Sequence, residues 1–241
     1  MDIMDQGRRS FLHAGSAGVI AAAGLALAGC GKGAGGEKDV GAVEDLMREH
    51  GVLRRALFAY TEAAARLRAN GGATSSVTVD AGALKRAATL FRTFGEDYHE
   101  RLLEEAHIFP AIRKLQGPVA AYPDVLTAQH QRGREITDYI LGVTGRGAIG
   151  TADREPMARA METLVRMYRA HAAHEDTVVF TAWKQALSGH ELEEMGDKFE
   201  EIEHRQFGKD GFDDAVHQIA DIEQALGLAD IAQFTAPPPP G

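Results

Sequence analysis

The chain has 241 residues, 44% of them hydrophobic and 25% charged, which suits one globular domain with appendages. Its formal net charge of -9, from 26 basic against 35 acidic side chains, argues against nucleic-acid binding through a basic surface. Aromatic residues make up only 7%, and Ala, Leu, Glu and Arg recur throughout, so the composition predicts helices and no sheet.

The N-terminus reads as an address. Arg8 and Arg9 stand just before an apolar run, and its stretch Val19 to Ala28 is too short to span a bilayer as a mature helix. The pattern is that of a signal peptide with a twin-arginine export motif. Leu27-Ala28-Gly29-Cys30 resembles a bacterial lipoprotein box, cleaved before the cysteine, and Cys30 is the single cysteine of the chain. These features predict a signal peptide over residues 1–29, a lipid on Cys30 and a Gly-rich tether over 30–40. The mature protein would be exported to the cell envelope or periplasm and anchored to a membrane. One cysteine permits no intramolecular disulfide, so another source must stabilise the fold. The twin-arginine route carries folded proteins, which favours a cofactor inserted beforehand.

Four long helices follow. The first, from about Gly41 to Asn70, carries Leu46, His50, Leu53, Leu57, Tyr60, Ala64 and Leu67 at alternating spacings of four and three, a bundle-type stripe. Asn70-Gly71-Gly72 ends it, and a polar connector runs from Ala73 to Val79. The second starts at the N-cap Asp80, aligns Leu84, Ala88, Phe91, Gly95 and His99, and is broken or kinked by Pro110. The third spans about Tyr122 to Thr144 with Leu126, His130, Gly133, Thr137 and Ile140 on one face. Gly145 and Gly147 close it. The fourth spans about Thr151 to Leu187, with Leu164, Met167, His171, Glu175, Val178 and Ala182 on one face. Ser188 and Glu191 form a capping box for a fifth helix, and a sixth runs from Phe212 to Leu226. Residues 188–235 thus form a helical appendage, with Phe199, Phe207 and Phe212 available to pack it. The proline-rich tail 236–241 is not helical.

Each long helix places one histidine on its inward stripe: His50, His99, His130 and His171. Several buried neutral imidazoles without partners are costly, and a shared metal would partner all four. His171 and Glu175 are four residues apart, on one face of one helix. His99 and Glu104 are five apart, which a regular α-helix turns away from each other. A π-bulge would bring both inward. The competing reading keeps Glu100, Arg101, Glu104 and Glu105 as a solvated face.

The ordered set resembles the hemerythrin-like, or HHE cation-binding, domain. The matching stretches are Asp45 to His50, Tyr98-His99 with Glu104-Glu105 through Phe109-Pro110, Gln129-His130-Gln131, and His171 to Phe180, within residues 41–187. The resemblance implies an all-α, antiparallel four-helix bundle of the hemerythrin type. It implies two irons per chain, bridged by carboxylates and an oxo or hydroxo oxygen, with other divalent metals open. His50, His99, His130 and His171 would be terminal ligands, and Glu104 and Glu175 bridging ones. Oxygen-carrying hemerythrins hold a further histidine four residues after the ligand of the third helix, where this chain has Arg134, expected to pair with Glu135 or Asp138 or to reach the bundle end. Reaction with dioxygen, peroxide or nitric oxide, or sensing or storing iron, is then as consistent as oxygen carriage. His107 and His174 are nearby reserves. Two other classes compete: a ferritin-like di-iron bundle using Glu104–His107 and Glu201–His204, and a metal-free helical lipoprotein acting as a binding module.

Overall fold

The computed structural model describes residues 40–69 and 79–240. The predicted signal peptide, Cys30, the tether up to residue 39, the Asn70-Gly71-Gly72 stop and the connector up to residue 78 lie outside the described residues. Among the described residues every regular element is helical, and no helix is long and apolar enough to cross a membrane.

The first helix, Ala42–Ala69, has Glu44 and Asp45 in its first turn and Arg66 and Arg68 in its last, charges that suit the helix dipole. Its predicted stripe is buried in full. The second begins as Ala81–Leu90, capped by Asp80, whose side chain accepts from the backbone N–H groups of Gly82 and Ala83 at 2.7 and 3.1 Å. It then widens into a π-helix, Phe91–Ile108, and ends with the α-turn Phe109–Ile112. Pro110 does not break the helix, which runs on to Ile112; the proline stands in the first turn of this last α-helical stretch, next to the end of the π-helical one.

The third helix is Tyr122–Thr144, as predicted. The fourth is Thr151–His174, continued by a π-turn, Glu175–Val179, and an α-helical end, Phe180–Ala186. That π-turn corrects the predicted stripe. The wider turn moves the inward face on by one residue, so Val179 and Trp183 are fully buried where Val178 and Ala182 were expected.

These four long helices form an antiparallel bundle around one apolar core that includes Tyr60, Phe91, Phe94, Phe109, Phe180 and Trp183. Burying each of these phenylalanine rings contributes about 1.5–3 kcal/mol relative to exposure. The fifth helix, Gly189–Phe207, opens with the predicted capping box and closes on Gly208 in the left-handed conformation, φ 69°. The sixth, Gly211–Leu226, packs on both the first and second helices and covers the seam between them. Phe199 stacks on Trp183 at 5.8 Å, Phe207 meets Tyr98 edge-on at 5.1 Å, and Arg48 lies 4.3 Å above the Phe212 ring. All three phenylalanines therefore dock the appendage.

Candidate metal centre

Six predicted side chains converge in the middle of the bundle. His50, His99, Glu104, His130, His171 and Glu175 are each at most 3% exposed. The π-helix answers the five-residue spacing of the second helix: its i→i+5 hydrogen bonds bring His99 and Glu104 onto one face. The solvated-face reading of that segment fails, because Glu100 and Glu104 are buried and Glu105 is partly so. Nε2 of His50 lies 3.0 Å from Nε2 of His99, and Nε2 of His130 lies 3.0 Å from Nε2 of His171. Glu104 spans the two pairs, with one oxygen 3.3 Å from His99 Nε2 and the other 3.4 Å from His130 Nε2. Glu175 Oε2 lies 3.0 Å from His171 Nε2 and 3.6 Å from His50 Nε2.

The opposite nitrogen of each ring fixes its tautomer. Nδ1 of His50 meets Asp176 at 2.7 Å, that of His99 meets Glu49 at 2.6 Å, that of His130 meets Glu105 at 2.8 Å, and that of His171 meets the side-chain oxygen of Gln129 at 2.8 Å. Oxygens of these types accept, so each Nδ1 carries the proton and donates. In a neutral ring the Nε2 is then a bare lone pair. Four such lone pairs face one another in two couples, and all four oxygens of Glu104 and Glu175 are buried with no hydrogen-bond partner. Cations or protons would reconcile such groups in a buried core.

The electrostatics describe the proton-filled alternative. Burial depresses the His99 imidazole, but the Glu104 and Glu49 carboxylates outweigh it and hold it well above the ordinary histidine range. Burial is likewise overcome at His130, where Glu100, Glu104 and Glu105 raise the ring to about 10. His171, depressed by burial and then by the His130 charge, falls to about 3. Burial and then the Glu104 charge push Glu175 well above the carboxylate range. Burial works against the Glu104 charge too, yet His99 and His130 hold its carboxyl well below that range.

The surroundings contain groups that the sequence reading missed. Glu49, Gln129, Glu105 and Asp176 each adjoin a candidate ligand in the chain but serve a histidine of another helix. That adjacency is the signal that could have found them. Buried Glu100 accepts from the Tyr168 hydroxyl at 2.6 Å. A Cβ at Gly133 would lie 2.1 Å from that hydroxyl oxygen, so the position admits only glycine without displacing Tyr168. Arg134 does pair with carboxylates, but with Glu105 at 2.7 Å and Glu100 at 3.2 Å. The partners expected for it are engaged elsewhere, Glu135 by Arg132 and Asp138 by Arg92. Glu100, Glu105 and His130 lie close enough to hold a third cation, and the Arg134 guanidinium sits on that cluster.

Neither reserve histidine joins the centre. His107 stands 6.0 Å from Phe199, and exposed His174 donates from Nδ1 to the Ala170 carbonyl of its own helix at 2.7 Å. Glu201 and His204 are exposed, which leaves the ferritin-like pairing without its second half. Beside the histidines a small cavity remains, about 10 Å³ as room for the centre of a water-sized molecule. Leu53, Leu57, Tyr168 and Ala172 line it together with His50, His99 and His171.

The fold and the site define a helical bundle with buried His/Glu clusters that could hold a metal. The chain belongs to the hemerythrin family: the Hemerythrin HHE cation binding domain matches residues 41–183. Uncharacterized proteins of Mycobacterium tuberculosis and Mycobacterium bovis are each 41% identical to it over 244 residues, covering 95% of this chain and 91% of the relative. What that alignment leaves uncovered is shorter than either the N-terminal segment or the appendage, so the likeness reaches beyond the bundle at both ends. No solved structure matches the chain.

Proposed function

We propose that the chain is a non-haem di-iron protein whose centre binds or reacts with dioxygen, peroxide or nitric oxide. His50 and His99 hold one ion, His130 and His171 the other, and Glu104 and Glu175 reach both. The observation that carries this reading is the facing of lone pairs: two Nε2 couples at 3.0 Å and two buried carboxylates without hydrogen-bond partners. Two donors on one ion at about 2.1 Å each stand about 3 Å apart, as these do. Mixed imidazole and carboxylate donors suit iron, which supplies redox chemistry and open positions for small ligands.

The rest of the work falls to the chain. Glu49, Asp176, Glu105 and Gln129 hold each ring so that its Nε2 points inward. Leu53, Leu57 and Ala172 give the adjoining cavity an apolar wall opposite the histidines and Glu104, and its size admits no more than a water-sized or diatomic molecule. Arg134 stays protonated and is held on Glu100 and Glu105, so it adds no ligand to the His130/His171 ion. A coordination position is thereby left for an exogenous molecule.

Iron analysis of the protein purified from its native host should give two ions per chain, and the oxidised form should absorb in the near ultraviolet. Mixing the reduced protein with dioxygen or nitric oxide should change that spectrum. Protein that takes up no iron under reducing, anaerobic conditions would overturn the reading in favour of a metal-free binding module. Export and anchoring through Cys30 form the second part of the proposal, supported by Arg8, Arg9 and the Leu27-Ala28-Gly29-Cys30 box. A Cys30→Ser variant should appear as soluble or unprocessed protein on fractionation, and normal membrane anchoring of that variant would refute it.

A further inference from the structure

The two halves of the centre offer matched ligands in unmatched surroundings. Each half has two imidazoles meeting at 3.0 Å, Glu104 gives one oxygen to each half at nearly equal distance, and one oxygen of Glu175 faces both, 3.0 Å from His171 and 3.6 Å from His50. The difference begins one hydrogen bond further out. His50 donates to Asp176, whose second oxygen receives Arg54, and His130 donates to Glu105, which also receives Arg134. These two arms are alike: an imidazole rests on a carboxylate that an arginine partly neutralises.

The other two arms are not alike. His99 donates to Glu49, a carboxylate 1% exposed, at 2.6 Å, and the Tyr98 hydroxyl orients that carboxylate from 3.1 Å. His171 donates to the amide oxygen of Gln129 at 2.8 Å, a partner that carries no charge at any pH. A carboxylate on Nδ1 draws the proton toward itself and makes Nε2 a stronger donor to a cation, whereas a neutral amide does so far less. Counted by hydrogen bonds at Nδ1, the His50/His99 half therefore rests on two carboxylates and the His130/His171 half on one; buried Glu100 stands further off, 3.9 Å from His130 Nδ1, and is paired with Arg134.

We infer that the two cation positions are unequal: the His50/His99 position fills first and retains its ion, and the His130/His171 position, with Gln129 behind it, is the exchangeable one. This inference rests on the two-ion reading above. It gives the chain a resting form with one ion held and one open to loss and replacement, set by the side chain at position 129.

The test is a competition titration of the full chain, stripped of metal, with zinc(II) against a chromophoric chelator. Zinc has no redox chemistry to complicate the isotherm. The wild type should bind two ions in steps separated by about 10-fold or more in affinity. Gln129→Glu, nearly the same size at a half-buried position, should tighten the weaker step by roughly 10-fold and leave the tighter one alone. Glu49→Gln should weaken the tighter step by about 10–100-fold, which tests the inference from the other half without relying on the first variant. Equal steps in the wild type, or a weaker step that ignores Gln129→Glu, would overturn the inference while leaving the two-ion reading intact. Fewer than two ions bound would overturn that reading and the inference with it.

Discussion

The first and third helices differ from the second and fourth in what they bring to the centre. The first and third are regular α-helices, and each contributes one histidine. The second and fourth each contribute a histidine and a glutamate, and both are π-helical at the glutamate, the second from Phe91 onward and the fourth from Glu175. A regular helix can aim one side chain at a point on the bundle axis while its neighbours a turn away pack apolar residues. Aiming a second, shorter side chain at the same point calls for a local change of register. The wider turn is where these helices give up regular geometry for the donor set, as π-turns at functional sites do.

Removing a donor from the fourth helix breaks the comparison most severely. Glu175→Ala and His171→Ala should each abolish binding of two irons per chain, while His190→Ala, on the exposed face of the fifth helix, should keep both. Iron content per chain decides this. Glu175→Ala should at the same time raise the melting temperature of the metal-free chain, because it removes a fully buried carboxylate that has no hydrogen-bond partner. A metal-free variant that melts lower than the metal-free wild type would contradict that account of Glu175.

A change on a regular helix should cost stability before it costs donors. Gly133→Ala pushes a methyl group into the Tyr168 hydroxyl and should destabilise the chain by about 1–3 kcal/mol in denaturant unfolding. Iron content should stay near that of the wild type, since the third helix keeps His130 in place.

The pH responses of the empty and filled centres should run in opposite directions. His130 has its pKa raised to about 10 in the fold from an ordinary value near 6.5, so its contribution is full below about pH 6.5 and is lost as pH rises toward 10. His99, also raised, acts in the same sense. The metal-free chain should therefore lose stability between pH 7 and pH 10. Metal must displace those protons, so metal affinity should rise over the same interval. Melting curves with and without metal at a series of pH values measure both trends. The smallest effect belongs to the appendage's surface: Arg55→Met, which breaks the partly exposed pair with Glu223, should cost no more than about 1 kcal/mol.

The regular helices were legible in the sequence almost residue by residue, because a 3.6-residue period is written in their apolar stripes. The π-register was legible where His99 and Glu104 demanded it and invisible at Glu175, because His171 and Glu175 already sit four apart. Val178 and Ala182 were expected inside for that reason, and the turn after Glu175 buries Val179 and Trp183 instead. The outer hydrogen-bond partners escaped notice because each stands beside a ligand in the chain yet points to a neighbouring helix, about 100° around its own axis. Glu49 adjoins His50 and serves His99; Asp176 adjoins Glu175 and serves His50. Arg134 was matched with its own helix neighbours, whereas a long side chain on an inward-leaning position reaches across to Glu100 and Glu105 on the second helix.

The central claim is that each facing pair of imidazoles holds an ion. Crystals of the iron-loaded protein, measured at the iron absorption edge, test it most directly. The account predicts two anomalous peaks per chain, one beside Nε2 of His50 and His99 and one beside Nε2 of His130 and His171, with Glu104 touching both. A single peak, or a peak at Glu100 and Glu105 in place of the Arg134 guanidinium, would contradict it.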